Sequence, residues 1–113
     1  ETGNKVDVRW AALTNRDGVG LLAVGDPLLG VNALHYATED LDQALYRHHL
    51  THQDEVFLNI DWKQRGLGGD NSWGALPHEE YRLVAAPYAY RFRLRAFDRA
   101  TESPMELGRV AMP

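Results

Sequence analysis

The stretch YRFRLRAF, residues 90–97, has the clearest strand pattern in the chain. Apolar side chains alternate there with arginines, with Tyr90, Phe92 and Leu94 on one side and Arg91, Arg93 and Arg95 on the other. An alternation of period two is typical of a β-strand with one apolar face. We therefore predict a strand here, with the arginines on a solvated face or in contact with another domain.

The N-terminal part of the chain predicts a β-hairpin. Residues 5–10 alternate in the same way and predict a strand whose buried face is formed by Val6, Val8 and Trp10. The segment NRDG, residues 15–18, is typical of a turn, because Asn, Asp and Gly tolerate or supply positive φ. The short apolar run 20–24 is expected to pair back on the first strand.

The middle of the chain predicts one short helix between further strands. We expect Pro27 to interrupt the hairpin, and we predict additional strands at residues 28–36, 55–62 and 81–84. Residues 38–46 predict the helix, with Thr38 as its cap. Strands separated by turn signals favour an all-β fold, an antiparallel β-sandwich. Periodicity is lost after the last strand, so residues 98–113 are predicted to form an irregular tail.

Composition excludes several classes of protein. The chain has 113 residues, 44% of them hydrophobic and 25% charged, a net charge of -4 and no cysteine. These fractions are typical of one soluble globular domain, without disulfides or thiolate zinc sites. No apolar run approaches a membrane span, and a pI near 5.7 without a basic cluster argues against nucleic acid as a partner. The first residue is Glu1 rather than methionine, and we expect the chain to be a piece of a longer protein.

Several polar groups are candidates for chemistry, each with a simpler structural alternative. On a continued helix, His48 and His52 of the HHxxxH segment would share one face as metal ligands, but solvated histidines at a helix end are the alternative. Paired carboxylates of a glycosidase would have to come from Asp61, Asp70, Glu79 and Glu80. Ser72 does not lie in a Gly-x-Ser-x-Gly motif, and no lysine of a phosphate-binding loop follows the glycines. The residues therefore predict no catalytic or metal site in this chain.

The glycine loop, GLGGDNSWG at residues 66–74, holds the residue that we single out, Trp73. Four glycines make regular structure improbable there. A tryptophan on such a loop can expose its ring, and an indole face suits the apolar C–H face of a sugar. The alternative is that Trp73 folds back and closes one end of the sandwich. The residues alone leave both interpretations open.

The segment FLNID at residues 57–61, followed by the glycine loop, resembles a signature of one enzyme family. It is similar to the "LNID…GxGGDDSW" pattern in the C-terminal domain of the large bacterial β-galactosidases of glycoside hydrolase family 2. The similarity begins with the opening Glu1-Thr2-Gly3 and continues through the Arg47-His48 pair. Residues 81–94 resemble the family's closing strands, with YAYRF at residues 88–92 similar to a "YHYQL"-like segment, so the resemblance covers about 95 of the 113 residues.

This resemblance implies a fold, a parent enzyme and a site residue. Residues 1–97 would be the C-terminal part of a galactose-mutarotase-like "supersandwich" domain. The catalytic glutamates and a magnesium site would lie in a TIM-barrel domain outside this chain. The chain itself would need no cofactor. Trp73 matches the family's sugar-pocket tryptophan. Gly68, Gly69 and Asp70 match positions that shape its loop, and Asn71 stands where the family more often has Asp.

The function that the resemblance implies is hydrolysis of terminal β-D-galactosides with retention, by a cytoplasmic parent enzyme. The chain itself would be inactive and would contact other domains of its parent and the β-galactoside substrate. The alternatives are a stand-alone carbohydrate-binding module, in which Trp73 and Trp62 could form a stacking platform, and a purely structural interaction domain. Because half a sandwich exposes an apolar sheet face, we also expect a homo-oligomer.

Overall fold

A computed structural model describes residues 3–113, so Glu1 and Thr2 of the opening motif lie outside it. The elements, in chain order, are β1 (Lys5–Thr14), β2 (Val19–Leu34), α1 (Thr38–Gln43), β3 (Phe57–Asp61), β4 (Arg91–Asp98) and α2 (Pro104–Arg109). Two short 3-10 helices, Arg47–His49 and Glu79–Tyr81, lie in the connections. The four strands form one antiparallel sheet, which confirms the all-β prediction and fits a fragment of a sandwich.

The predicted β-hairpin is confirmed. β1 and β2 pair up to Thr14 and Gly20, on either side of the predicted turn. Asn15 Oδ1 accepts hydrogen bonds of 3.0 Å from the N–H groups of Asp17 and Val19. Gly18 adopts a φ of 89°, which glycine reaches without a steric cost.

β2 is the central strand, because it pairs with each of the other three. Its first half pairs with β4 from Val19 to Asp26, and its second half pairs with β3 from Gly30 to Leu34. The prediction that Pro27 separates two strands is wrong. Pro27 lies where the β1–β2 register shifts and just beyond the last β2–β4 pair at Asp26, so no ladder position there requires the N–H that proline lacks.

Three other local predictions are corrected. Val6 is exposed rather than buried, because the register of β1 also shifts beside Asp7, whose φ is 55°. The helix ends at Gln43 rather than at residue 46, and its N-cap is Ala37, not Thr38. No strand forms at residues 81–84, because Tyr81 is the last residue of the 3-10 helix Glu79–Tyr81 and residues 82–84 form no regular structure.

The main cluster of buried side chains lies on the face of the sheet that α2 covers. Leu22, Val24 and Phe97 form it, and Trp10, Ala12 and Leu107 pack against it. Ala23, Leu29 and Val31 are also buried. The prediction that residues 98–113 form an irregular tail is wrong at Pro104–Arg109, which form α2. The sequence carries an N-cap signal there, since Pro104 occupies the first turn and Ser103 Oγ accepts a 3.4 Å hydrogen bond from the Glu106 N–H.

The arginines of β4 lie on this covered face and hold the C-terminal segment. Arg93 donates a 2.8 Å hydrogen bond to the Leu107 carbonyl, and Arg95 pairs with Glu102. Arg91 donates to Asp26 at 2.6 and 2.9 Å and to the Pro113 carbonyl at 2.9 Å. Their contacts are thus within the chain, with Asp26 of β2 and with the segment that follows β4.

The opposite side of the sheet is the apolar face, formed by Val19, Leu21, Tyr90, Phe92 and Leu94. Each of these side chains is between 37% and 52% exposed. The described part of the chain therefore leaves a row of large apolar groups open on this face, as expected for half of a sandwich.

Candidate functional site

The glycine loop follows β3 and is tied at its start to the residues that follow it. The Gly66 N–H donates a 2.7 Å hydrogen bond to the Tyr81 carbonyl. A Cβ on Gly66 would lie 3.0 Å from Cβ of Pro77 and 3.1 Å from Cβ of Tyr81. The loop thus leaves the sheet and returns against the 3-10 helix Glu79–Tyr81.

Close packing inside the loop requires a glycine at one of the two predicted shaping positions. A Cβ on Gly69 would lie 2.8 Å from the carbonyl carbon of Ala75, and closer still to the Leu76 carbonyl oxygen. At Gly68, a Cβ would meet no atom within 4 Å. The steric requirement therefore falls on Gly69, where two backbone segments cross.

Asp70 and Asn71 organise the turn that carries the tryptophan. Asp70 Oδ1 lies 2.8 Å from Nε2 of His78. Asn71 Oδ1 accepts hydrogen bonds from the N–H of Trp73 at 2.9 Å and from the N–H of Ala75 at 3.4 Å. This is an Asx turn, in which the side chain needs only an acceptor oxygen. An aspartate, which the family resemblance leads us to expect at position 71, would offer the same oxygen.

Trp73 projects away from the sheet, with 90% of its surface exposed. The structural alternative, in which the ring folds back and closes one end of the sheet, requires a covered ring and is therefore not observed. Gly74 follows with a φ of 93°, which lets the chain turn back directly after the indole. The loop thus offers an open aromatic face on a backbone that is bonded on both sides.

The other two tryptophans belong to the packed part of the molecule. Trp10 packs against the core, and a Cβ on Gly108 of α2 would lie 2.8 Å from its Cγ. Trp62 is half-buried and its ring lies 4.7 Å from that of Tyr88. Neither is as free as Trp73 to stack on a ligand.

The histidine cluster does not form the metal pair that a continued helix would have produced. His48 stacks on Tyr46 at 5.6 Å, whereas His52 stacks on His35 at 4.6 Å. These two histidines therefore belong to separate ring clusters. Among residues 3–113, no group of three or more histidine, cysteine or acidic side chains is arranged to hold a metal ion.

The four candidate carboxylates lie in different surroundings. Asp70 is held by His78, and Asp61 accepts a 3.4 Å hydrogen bond from Gln64. Glu79 and Glu80 are exposed in a 3-10 helix rather than on a strand. Ser72 is an exposed residue of the loop, next to Trp73.

Two residues of the site, Asn71 and His78, were not predicted to have a role in it. The role of Asn71 could have been predicted, because the side-chain oxygen of an Asn in a turn often accepts a hydrogen bond from the backbone N–H two residues further along the chain. The contact of His78 joins positions eight residues apart across an irregular loop. No periodic pattern predicts such a contact.

Within the described residues, no helix combines the length and the apolar character that crossing a bilayer demands.

Comparison with known proteins identifies the family. The model of the β-galactosidase small chain matches residues 1–94. The chain is 42% identical over 96 residues to a β-galactosidase of Priestia megaterium, an alignment that covers 84% of this chain and 9% of that protein. It is 36% identical over 101 residues to the β-galactosidase BgaC of Bifidobacterium adolescentis, covering 86% of this chain and 10% of that protein.

A third relative, a β-galactosidase of Photobacterium profundum, is 30% identical over 95 residues, which are 84% of this chain and 8% of that protein. The chain thus spans about a tenth of the length of these relatives. A match over residues 1–94 takes in the hairpin, the glycine loop and half of β4. The chain belongs to the β-galactosidase small-chain family.

Proposed function

We propose that this chain is the C-terminal part of a retaining β-galactosidase and that Trp73 forms one wall of its sugar pocket. The relatives are β-galactosidases about ten times longer than the aligned segment, which supports a role as one part of a larger enzyme. The observation that carries the role of Trp73 is its 90% exposed indole on a loop with bonded ends.

The catalytic groups would lie elsewhere in the parent. A retaining glycosidase needs two carboxyl groups, one as nucleophile and one as acid and base, about 5–5.5 Å apart. The candidate carboxylates of this chain are dispersed among other contacts and do not suggest such a pair. Magnesium, which the family resemblance assigns to the barrel domain, has no matching ligand group in the described residues. We therefore expect the purified chain to release no product from a chromogenic β-galactoside.

Trp73 suits galactose for a physical reason. The axial hydroxyl of galactose leaves one side of the ring with a continuous set of C–H groups, and an indole face can cover this apolar patch. A ring that is already exposed and held by its backbone loses little conformational freedom on binding. Trp73 would thus orient the sugar while the carboxyl groups of the barrel act on it.

The test is hydrolysis of a chromogenic β-galactoside by the full-length parent, unchanged and with Trp73→Ala. We expect the variant to lose about 5- to 150-fold in kcat/KM, equivalent to about 1–3 kcal/mol. Leu67→Ala is the matched control, because Leu67 lies on the same loop and is 97% exposed. An active parent that is indifferent to Trp73→Ala would refute the role of Trp73, and an inactive parent would refute the β-galactosidase assignment.

A stand-alone carbohydrate-binding module is the second candidate, favoured by the same exposed indole. Such a module would bind galactosides without any other domain. Titration of the chain with galactose or lactose, followed by tryptophan fluorescence, separates the two proposals. A shift that is lost in Trp73→Ala supports the module, whereas no measurable binding supports a pocket completed by another domain. In a purely structural interaction domain, Trp73→Ala would change stability alone.

We also propose contacts for the apolar face and a cellular location. In the parent, other domains of the same chain would cover the apolar face, and the isolated chain would cover it by self-association. The resemblance to bacterial β-galactosidases supports a cytoplasmic parent enzyme.

A further inference from the structure

One contact of the glycine loop has no counterpart in the signature that identifies the family. His78 lies four residues beyond the glycine loop, and its Nε2 is 2.8 Å from Oδ1 of Asp70. Because Trp73 lies between these two positions, the contact closes the loop around it. We call this contact the clasp.

The clasp is one of three features that hold the backbone around Trp73. The Asx turn of Asn71 bonds the N–H groups of Trp73 and Ala75, and Gly69 packs against the backbone of Ala75 and Leu76. Those two features reach no further than Leu76, two residues beyond the loop. The clasp instead connects Asp70, in the middle of the loop, to His78, the N-cap of the 3-10 helix Glu79–Tyr81. The clasp therefore fixes the position of the turn that carries Trp73 relative to this 3-10 helix.

The side chains of the clasp are too exposed for a large contribution to global stability. His78 is 56% exposed and Asp70 is 82% exposed, and exposed pairs of this kind contribute little to folding. The effect of the clasp is local, because it removes conformations that the irregular segment between the two residues would otherwise sample. The group that gains from this restriction is the exposed indole of Trp73.

We propose that His78 is a positioning residue for Trp73, acting through Asp70. This inference rests on the proposed role of Trp73 in the sugar pocket. Without the clasp, the indole samples more positions, and only a fraction of them face the sugar. The apparent affinity for a β-galactoside falls by that fraction, so KM rises while kcat changes little.

The test is a double-mutant cycle in the full-length parent, with Trp73→Ala, His78→Ala and both changes together. We expect His78→Ala to raise KM about two- to fivefold, within the range of an exposed pair. In the Trp73→Ala background, His78→Ala should have no further effect, because no indole remains to be positioned. His78→Gln keeps an N–H donor and should restore most of the loss. His48→Ala is the matched control, since His48 is another exposed histidine, stacked on Tyr46.

The outcomes distinguish the clasp from the proposed function. An equal effect of His78→Ala with and without Trp73, or no effect at all, overturns the clasp while the pocket role of Trp73 stands. If Trp73→Ala itself has no effect, the pocket role fails and hydrogen exchange decides about the clasp. Faster exchange of the Trp73 and Ala75 amides in His78→Ala supports it, and unchanged exchange overturns it.

Discussion

The two faces of the sheet both receive side chains from the alternating strand β4, but only one of them is covered by another part of the chain. On the covered face, Phe97 is 3% exposed beneath α2, beside arginines that bond the C-terminal segment. On the apolar face, Phe92 and Leu94 of the same strand are 40% and 51% exposed. The more apolar face is thus the open one. Alternation predicts that a strand has two different faces, but which face is covered depends on what else packs there.

The largest expected effect comes from truncating one phenylalanine on each face. Phe97→Ala should destabilise the chain by about 3–5 kcal/mol, because it opens a cavity in the core. Phe92→Ala is the matched control and should cost much less in the isolated chain, where its ring is already partly in water. Denaturant unfolding followed by circular dichroism measures both changes. Equal losses in the two variants would contradict the assignment of the core to one face.

A charge on the apolar face should weaken self-association. In Leu94→Lys, an ammonium group replaces a side chain that burial would stabilise by about 1.5–3 kcal/mol. We therefore expect the dissociation constant of the oligomer to rise at least about tenfold, equivalent to about 1.4 kcal/mol. Sedimentation velocity across a concentration series measures it.

Leu67→Lys is the control for that experiment, because Leu67 is 97% exposed and lies on the glycine loop, away from the sheet. An unchanged chain that stays monomeric at every concentration would contradict our expectation that the apolar face drives assembly.

The smallest expected effect concerns an ion pair between β4 and β2. Arg91 and Asp26 are 59% and 52% exposed, with Nη2 and Oδ2 2.6 Å apart. Asp26→Asn should cost only about 0–1 kcal/mol, and the loss should shrink as salt is added. Thermal unfolding at low and high salt checks this. A large loss that does not depend on salt would show that Asp26 acts through the backbone rather than through its charge.

The candidate site was only partly predictable. The tryptophan and the glycines could be identified from the sequence and its family resemblance. The steric need at Gly69 rather than Gly68 was not evident, because it depends on where residues 75 and 76 return. The clasp between Asp70 and His78 was missed for the same reason, since irregular loops have no period from which a contact can be inferred.

The all-β class, the hairpin turn at Asn15 and the family could all be predicted from the amino-acid sequence. These depend on local signals, namely side-chain alternation, turn residues and a contiguous motif. Three features are seen only in the folded chain: β2 runs through Pro27, α2 covers the arginine side of β4, and Trp73 is exposed to solvent. Each of these features depends on pairing or packing between segments that are distant in the chain, and their free energy is not encoded in either segment alone.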